Sequence, residues 1–187
     1  SMDLIHGLLG LVGSRKAEAN EVAAQLAARR PAVDAVPLLR RLMRDPNRRI
    51  AASAVAAAGR AGHTQLVPDI LSLLSDPGLR PVSRKTLAAF GPKIVPFLAA
   101  ALDDGNAEAA VRLEIPWILS RLQDPHAARV LVHNLTAVDF RLRYRIVKAL
   151  SRMRAAAPRL PGQSPLVDVQ IMTELMAYYE GLAMVSA

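Results

Sequence analysis

Four cationic side chains in the C-terminal part of the sequence have a spacing suited to binding an anion. They are Arg141, Arg145, Lys148 and Arg152, separated by four, three and four residues. On a helix this spacing places all four on one side, beside an apolar face. Arginine binds carboxylates and phosphates through two parallel N–H groups. The pattern predicts a basic stripe that binds an acidic peptide, an anionic headgroup or a nucleic-acid backbone.

Further basic residues stand inside or at the entrance of other predicted helices. The prediction adds three of them to the binding surface: Arg49, Arg84 and Arg112. An alternative interpretation is an ordinary solvated face with Arg–Asp links between neighbouring repeats, such as Arg143 with Asp139. The sequence leaves both interpretations open.

Residue types for other kinds of chemistry are scarce. The chain has no cysteine, which excludes disulfides, Cys-ligated zinc and a thiol nucleophile. None of its four histidines is followed by Glu, and the pair His126 and His133 lacks a carboxylate third ligand at a useful spacing. The glycines Gly59 and Gly62 follow a helix, which is typical of a helix end rather than a phosphate loop. We therefore predict no catalytic residue, no metal and no cofactor.

Composition indicates which elements must hold these side chains. Hydrophobic residues make up 52 % of the 187 residues, but aromatics only 4 %. Such an Ala- and Leu-rich chain favours helices, so the predicted fold class is all-α. The net charge of +8 suits an acidic partner. The longest apolar runs fall short of the roughly 20 residues that span a bilayer, and we predict a cytoplasmic protein.

An internal repeat organises the helices. Val-Pro pairs stand at 36–37, 67–68 and 95–96, which are 31 and 28 residues apart, and a fourth copy without the proline begins near Val130. Proline is tolerated in the first turn of a helix, so each pair predicts a helix start. Each of these helices ends near an acidic turn, at Asp45, Asp76 and Asp104. A second helix, rich in alanine, follows each turn.

The repeat predicts a single domain over residues 2–187 of stacked helical hairpins. Ser1 before Met2 is interpreted as an added residue. Two N-terminal helices are predicted within 2–32 and four hairpins within 33–157. The hairpins pair 34–44 with 47–60, 64–74 with 81–90, 93–103 with 107–122, and 126–136 with 140–155. A linker then leads to a capping helix over 164–185, which starts at Ser164 and Pro165.

The segment from Val36 to Gly62, VPLLRRLMRDPNRRIAASAVAAAGRAG, resembles a short bacterial HEAT repeat. The second and third copies keep Val-Pro, the acidic turn and a basic residue after it. The resemblance covers about two thirds of the chain and implies an α-α superhelix of four to five hairpins. It also implies that the second helix of each hairpin lines a concave surface. HEAT proteins are commonly scaffolds, so the predicted function is a non-catalytic module that binds a protein partner through this basic surface.

A second resemblance concerns the C-terminal half. The runs Arg112–Pro116, Leu142–Arg145, Lys148–Leu150 and Ala177–Tyr179 are similar to the soluble HEAT region of bacterial ATP/ADP-translocase-like, MFS-type proteins. That resemblance implies a cytoplasmic part of a longer transporter-like protein, whose partner is another domain of the same chain. The sequence does not indicate an oligomeric state.

The main alternative function is nucleic-acid binding. Helical-repeat DNA glycosylases use an acidic residue in a cleft, aromatic residues and a basic concave surface. Here Trp117 is the only tryptophan, and Glu114 precedes it by three residues, so both can lie on one helix face. The simpler interpretation is a core tryptophan and a glutamate paired with Arg112 or Arg121. The scarcity of aromatic residues favours this simpler interpretation.

Overall fold

Prolines at helix starts and aspartates in turns divide the chain into short helices. The structure, a computed structural model, describes residues 35–136 and 139–156. These ranges contain nine α-helices and several short 3-10 segments, with no strand. The predicted helices within 2–32, the linker and the predicted capping helix at 164–185 lie outside the described residues. The all-α fold class is confirmed.

The described helices fall into two compact units that divide between Ile94 and Val95. The first unit contains α1 (Ala35–Leu42), α2 (Arg48–Ala61), α3 (Val67–Ser72) and α4 (Arg80–Ala89). The second contains α5 (Val95–Asp103), α6 (Ala109–Arg112), α7 (Ile115–Leu122), α8 (Pro125–His133) and α9 (Phe140–Ala156). The 3-10 segments are Thr64–Leu66, Leu73–Ser75, Pro92–Ile94 and Asn134–Thr136. The prediction of one domain over 2–187 stays a prediction.

Prolines open helices as the sequence predicts. Pro68 lies in the first turn of α3, and Pro96 is the second residue of α5. In the fourth hairpin Pro125 takes this place, one residue before the predicted start of that helix at 126, and no proline stands at Val130. Asp124 caps this helix, because its Oδ1 accepts hydrogen bonds from the backbone N–H groups of His126 and Ala127.

The acidic residues of the turns act through their side chains. The Oδ1 atoms of Asp45, Asp76 and Asp104 each accept a hydrogen bond from the backbone N–H two residues later, at 2.8, 2.7 and 2.9 Å. Asp139 does the same before α9, at 2.8 Å. An aspartate that binds its own backbone in this way favours a turn over a continuing helix. The same aspartate–backbone hydrogen bond is therefore present before the second helix of all four described hairpins.

The predicted helix over 107–122 is wrong in one respect, because it is broken. The structure has α6 ending at Arg112 and α7 beginning at Ile115. Pro116 causes the break: it has no N–H for the carbonyl of Arg112, and its ring excludes that carbonyl from its normal position. The break places Glu114 at the N-terminal end of α7 rather than in the middle of a helix.

Within each unit, helices pack on their counterparts in the next hairpin. In the first unit α2 packs on α4, and in the second α7 packs on α9 while α5 contacts α8. Apolar side chains such as Leu39, Leu74, Leu98 and Ile118 are fully buried between them. The first helices of neighbouring hairpins thus contact each other, and so do the second helices. This is the stacking expected of helical repeats, in which each hairpin buries its apolar face on a neighbour.

Candidate functional site

The contact between α7 and α9 builds the site at which the predicted basic stripe lies. One face of α9 buries Leu142, Ile146 and Met153, and α7 buries Ile118 and Leu119. These apolar faces have helical spacing, so packing them together fixes the rotation of both helices. The rotation leaves the cationic residues of α9 beside the exposed edge of α7.

A cleft of about 300 Å³ lies along this edge, and we call it the α7–α9 cleft. It is lined by Trp117, Tyr144, Arg145, Lys148, Ala149 and Arg152. Three of the four predicted stripe residues therefore meet in one site, together with the only tryptophan of the chain.

The two arginines of the cleft, Arg145 and Arg152, contact side chains of α7 and its N-cap. The Nη1 atom of Arg145 lies 3.8 Å from Oε1 of Glu114, whose side chain is only 7 % exposed. The Nη1 atom of Arg152 donates to the Ser120 hydroxyl at 3.2 Å. Ser120 in turn donates to the backbone carbonyl of Trp117 at 2.7 Å. The hydrogen bond orients the Arg152 guanidinium before any ligand arrives, which lowers the entropic cost of binding one, and the longer ion pair attracts Arg145 towards α7.

Each aromatic ring of the cleft has a cation close to it. The Nζ atom of Lys148 lies 5.9 Å from the centroid of the Tyr144 ring, and the guanidinium carbon of Arg121 lies 5.9 Å from that of Trp117. These distances are within the range of cation–π attraction. Both rings are half-buried rather than enclosed in the core. The cleft therefore offers positive charge and aromatic surface side by side.

The structure does not bring the other predicted binding residues into this cleft. Arg141 is exposed at the start of α9 and does not line it. The Nε atom of Arg112 donates to the carbonyl of Leu102 at 3.2 Å, as Arg80 does to Leu74 at 2.8 Å. Arg49 and Arg84 belong to the first unit. The binding roles of these four predicted residues stay predictions.

In the first unit, several arginines make the Arg–Asp links that the alternative interpretation expected. The Nε atom of Arg40 on α1 lies 2.9 Å from Asp69 on α3, and Arg44 reaches the same carboxylate at 3.6 Å. Arg48 lies 3.2 Å from Asp76. These pairs connect the first hairpin to the second, so part of the basic composition serves the stacking itself.

Trp117 and Glu114 are close to the same cleft, but the predicted core position of Trp117 is wrong. Trp117 lines the cleft, and Glu114 is buried behind Arg145, a partner that the sequence did not suggest. Tyr144 and Ser120 were also missed. Their roles depend on which residues of α7 face α9, and spacing within one helix does not carry that information.

Two further findings concern metals and membranes. Residues 35–136 and 139–156 contain no group of three or more His, Asp or Glu side chains arranged to hold a metal ion. No single helix in this part of the chain has the length and apolarity to cross a bilayer. One pair of consecutive helical segments, Arg80–Ala89 with Pro92–Asp103, meets those criteria on length and composition alone.

Among the known proteins compared with this chain, only solved structures match it. No family model matches the sequence, and no curated protein matches it. Among solved structures, the chain is similar to human deoxyhypusine hydroxylase in complex with glycerol, at 16 % sequence identity and a TM-score of 0.40. The match covers 94 % of this chain and 84 % of that one. A likeness at this level assigns neither activity nor substrate to the chain.

Proposed function

We propose that this chain is a HEAT-type helical-repeat module with no catalytic role, which holds a protein partner by an acidic segment. The proposal of a HEAT-type repeat is supported by the helix starts at Val-Pro and by the aspartate turns of the hairpins. The observation that carries the function is the α7–α9 cleft, where Arg145, Lys148 and Arg152 converge beside Trp117 and Tyr144.

The chemistry of the cleft suits a carboxylate-bearing protein segment. Arg145 and Arg152 present planar guanidinium groups that match carboxylates in a two-point geometry. Tryptophan, tyrosine and arginine are also the residue types that contribute most to the free energy of protein–protein binding. A cleft that combines all three has the composition of an interface centre.

The second resemblance suggests what the partner is. In ATP/ADP-translocase-like proteins a HEAT region accompanies other domains of one chain, so the proposed acidic segment belongs to such a domain. This part of the proposal rests on the quoted C-terminal residues alone. Its test is the open reading frame around this sequence, which should encode transmembrane helices.

Nucleic-acid binding is the second candidate function. The observation in its favour is the half-buried Trp117 ring beside three cations, since bases stack on aromatic rings next to basic residues. Against it, binding of single-stranded nucleic acid usually stacks successive bases on several aromatic rings, and only 4 % of the residues in this chain are aromatic.

The double substitution Arg145→Glu and Arg152→Glu tests the proposal. A labelled polyglutamate peptide should bind the wild-type chain, and the variant should bind it about tenfold more weakly or worse, as measured by fluorescence anisotropy. The control variant, Arg60→Glu with Arg129→Glu, changes the net charge equally at two exposed positions outside the cleft.

The outcomes separate the two functions. If both double variants lose the same affinity for polyglutamate, a specific site is contradicted, because net charge alone would explain the binding. If the chain binds an oligothymidylate more tightly than polyglutamate, and only the Arg145/Arg152 variant loses that binding, the second candidate function is supported instead of the proposal. Thermal melts by circular dichroism should show that both variants stay folded.

A further inference from the structure

The size of the α7–α9 cleft limits what can occupy it. Its volume of about 300 Å³ is at the lower end of the range seen for ligand sites. Ala149, a small residue that is 1 % exposed, contributes to its lining, and a larger side chain there would reduce its volume. The cleft therefore has room for one large side chain of a partner rather than for a folded element.

The walls of the cleft favour an aromatic side chain as that occupant. Trp117 and Tyr144 are two of only seven aromatic residues in the chain, and both are half-buried residues that line the cleft. A third ring can pack against them edge-to-face or offset, which aromatic pairs prefer. The stems of the neighbouring Arg145 and Lys148 add apolar surface beneath their charges.

The charges are spread along α9 over a definite length. Arg145 and Arg152 are seven residues apart, which is about 10 Å along a helix. An extended peptide covers that length in about three residues. Two carboxylates about three positions apart on a partner would thus reach both arginines, and one of the two residues between them would lie above the cleft.

We infer that the α7–α9 cleft binds an extended acidic segment of a partner protein, with one aromatic side chain in the cleft and carboxylates on either side of it. The aromatic ring packs against Trp117 and Tyr144. The flanking carboxylates bind Arg145 and Arg152, and Lys148 lies between the two. This inference rests on the proposed function and adds a sequence requirement for the partner.

Two synthetic peptides test the requirement by isothermal titration calorimetry. In the first, glutamates flank a single phenylalanine; in the second, serine replaces the phenylalanine at the same net charge. The full chain should bind the first peptide about tenfold more tightly, because burying a phenylalanine ring is worth at least that factor. Trp117→Ala should remove this preference and leave the binding of the serine peptide nearly unchanged.

A matched control is Phe97→Ala, which removes an aromatic side chain that is 40 % exposed and does not line the cleft. It should leave the preference for phenylalanine intact. If the two peptides bind with equal affinity, the aromatic requirement is overturned. If Lys148→Gln then weakens the binding of both peptides and Arg129→Gln does not, the proposed function is still supported. If neither peptide shows binding that Lys148→Gln weakens, both the inference and the proposed function fail.

Discussion

At the scale of single residues, Glu114 is a buried carboxylate that lies next to the cations of the cleft. It lies at the N-terminal end of α7, where a carboxylate is favoured by the helix dipole, and it is buried within 3.8 Å of Arg145. Its charge opposes that of the three cations in front of it. Glu114 therefore orients Arg145 and, on the proposed function, also competes with an incoming carboxylate.

Replacing Glu114 by glutamine should strengthen the binding of an acidic peptide. Glu114→Gln keeps the size of the side chain and removes the competing charge, which is expected to raise the affinity for polyglutamate roughly two- to fivefold. The control, Glu108→Gln, makes the same charge change at an exposed position before α6 and should raise the affinity less. Weaker binding by Glu114→Gln would show that orienting Arg145 matters more than the competing charge.

The residues of the cleft could be predicted from the sequence only in part. Arg145, Lys148 and Arg152 were found because their spacing within one helix is local information. Trp117 and Glu114 were singled out for their rarity and their position, but not for their proximity to α9. Ser120 was missed because its contact is with Arg152, 32 positions away, and Tyr144 because it lines the cleft together with Trp117, 27 positions away.

At the scale of helices, the pairing of α2 with α4 depends on a glycine. A Cβ atom added to Gly59 would lie 2.7 Å from the Cγ2 methyl of Thr86, which is buried on α4. Threonine is stiff about χ1, so this methyl group cannot easily move away. Gly59 thus allows a close approach of the two second helices of the first unit.

Substituting Gly59→Ala should destabilise the protein despite alanine's higher helix propensity. Overpacking against Thr86 costs about 1–3 kcal/mol, while the gain in propensity is about 1 kcal/mol. We expect the free energy of unfolding in urea to fall by up to about 2 kcal/mol. In a Thr86→Ser background the methyl group is gone, and Gly59→Ala should then be neutral or stabilising.

Gly105→Ala is the control for this prediction, because nothing lies within 4 Å of a Cβ atom added there. It should change the stability by no more than about 0.5 kcal/mol. A similar loss for Gly59→Ala in the wild-type chain and in the Thr86→Ser background would contradict the steric explanation.

Helix starts and turns were easier to predict than helix continuity. Val-Pro and the aspartate turns are signals carried by adjacent residues, and the structure has helices that begin and end there. The break between α6 and α7 was missed although Pro116 stands inside the predicted helix. A proline in a helical stretch of sequence can lie in the first turn of a new helix or interrupt a longer one. The residue type alone does not distinguish these two cases. Here Leu113 is the C-terminal cap of α6, and Glu114 is the N-terminal cap of α7.

At the scale of the whole molecule, net charge should govern how fast an acidic partner arrives. The chain carries 24 Lys and Arg against 16 Asp and Glu, a formal charge of +8. A net charge of this size attracts an oppositely charged partner over long distances, and dissolved salt screens this attraction. The cleft then decides how long the partner stays.

The association rate of polyglutamate should therefore depend strongly on salt. We expect stopped-flow measurements to show roughly a tenfold fall or more in this rate as salt is raised from about 0.01 M to 0.15 M, with a smaller change in the dissociation rate. Arg145→Glu with Arg152→Glu leaves a net charge of +8 − 4 = +4. That variant should keep part of the salt dependence while dissociating faster. An association rate that salt does not alter would contradict long-range attraction.

The position of Trp117 has a practical consequence. Because it is the only tryptophan in the chain, ultraviolet emission excited selectively at the indole band comes from the α7–α9 cleft alone. Iodide should quench this emission more efficiently than a neutral quencher does, since the neighbouring cations concentrate the anion. The natural sequence thus carries its own optical reporter, which can follow occupancy of the cleft without any added dye.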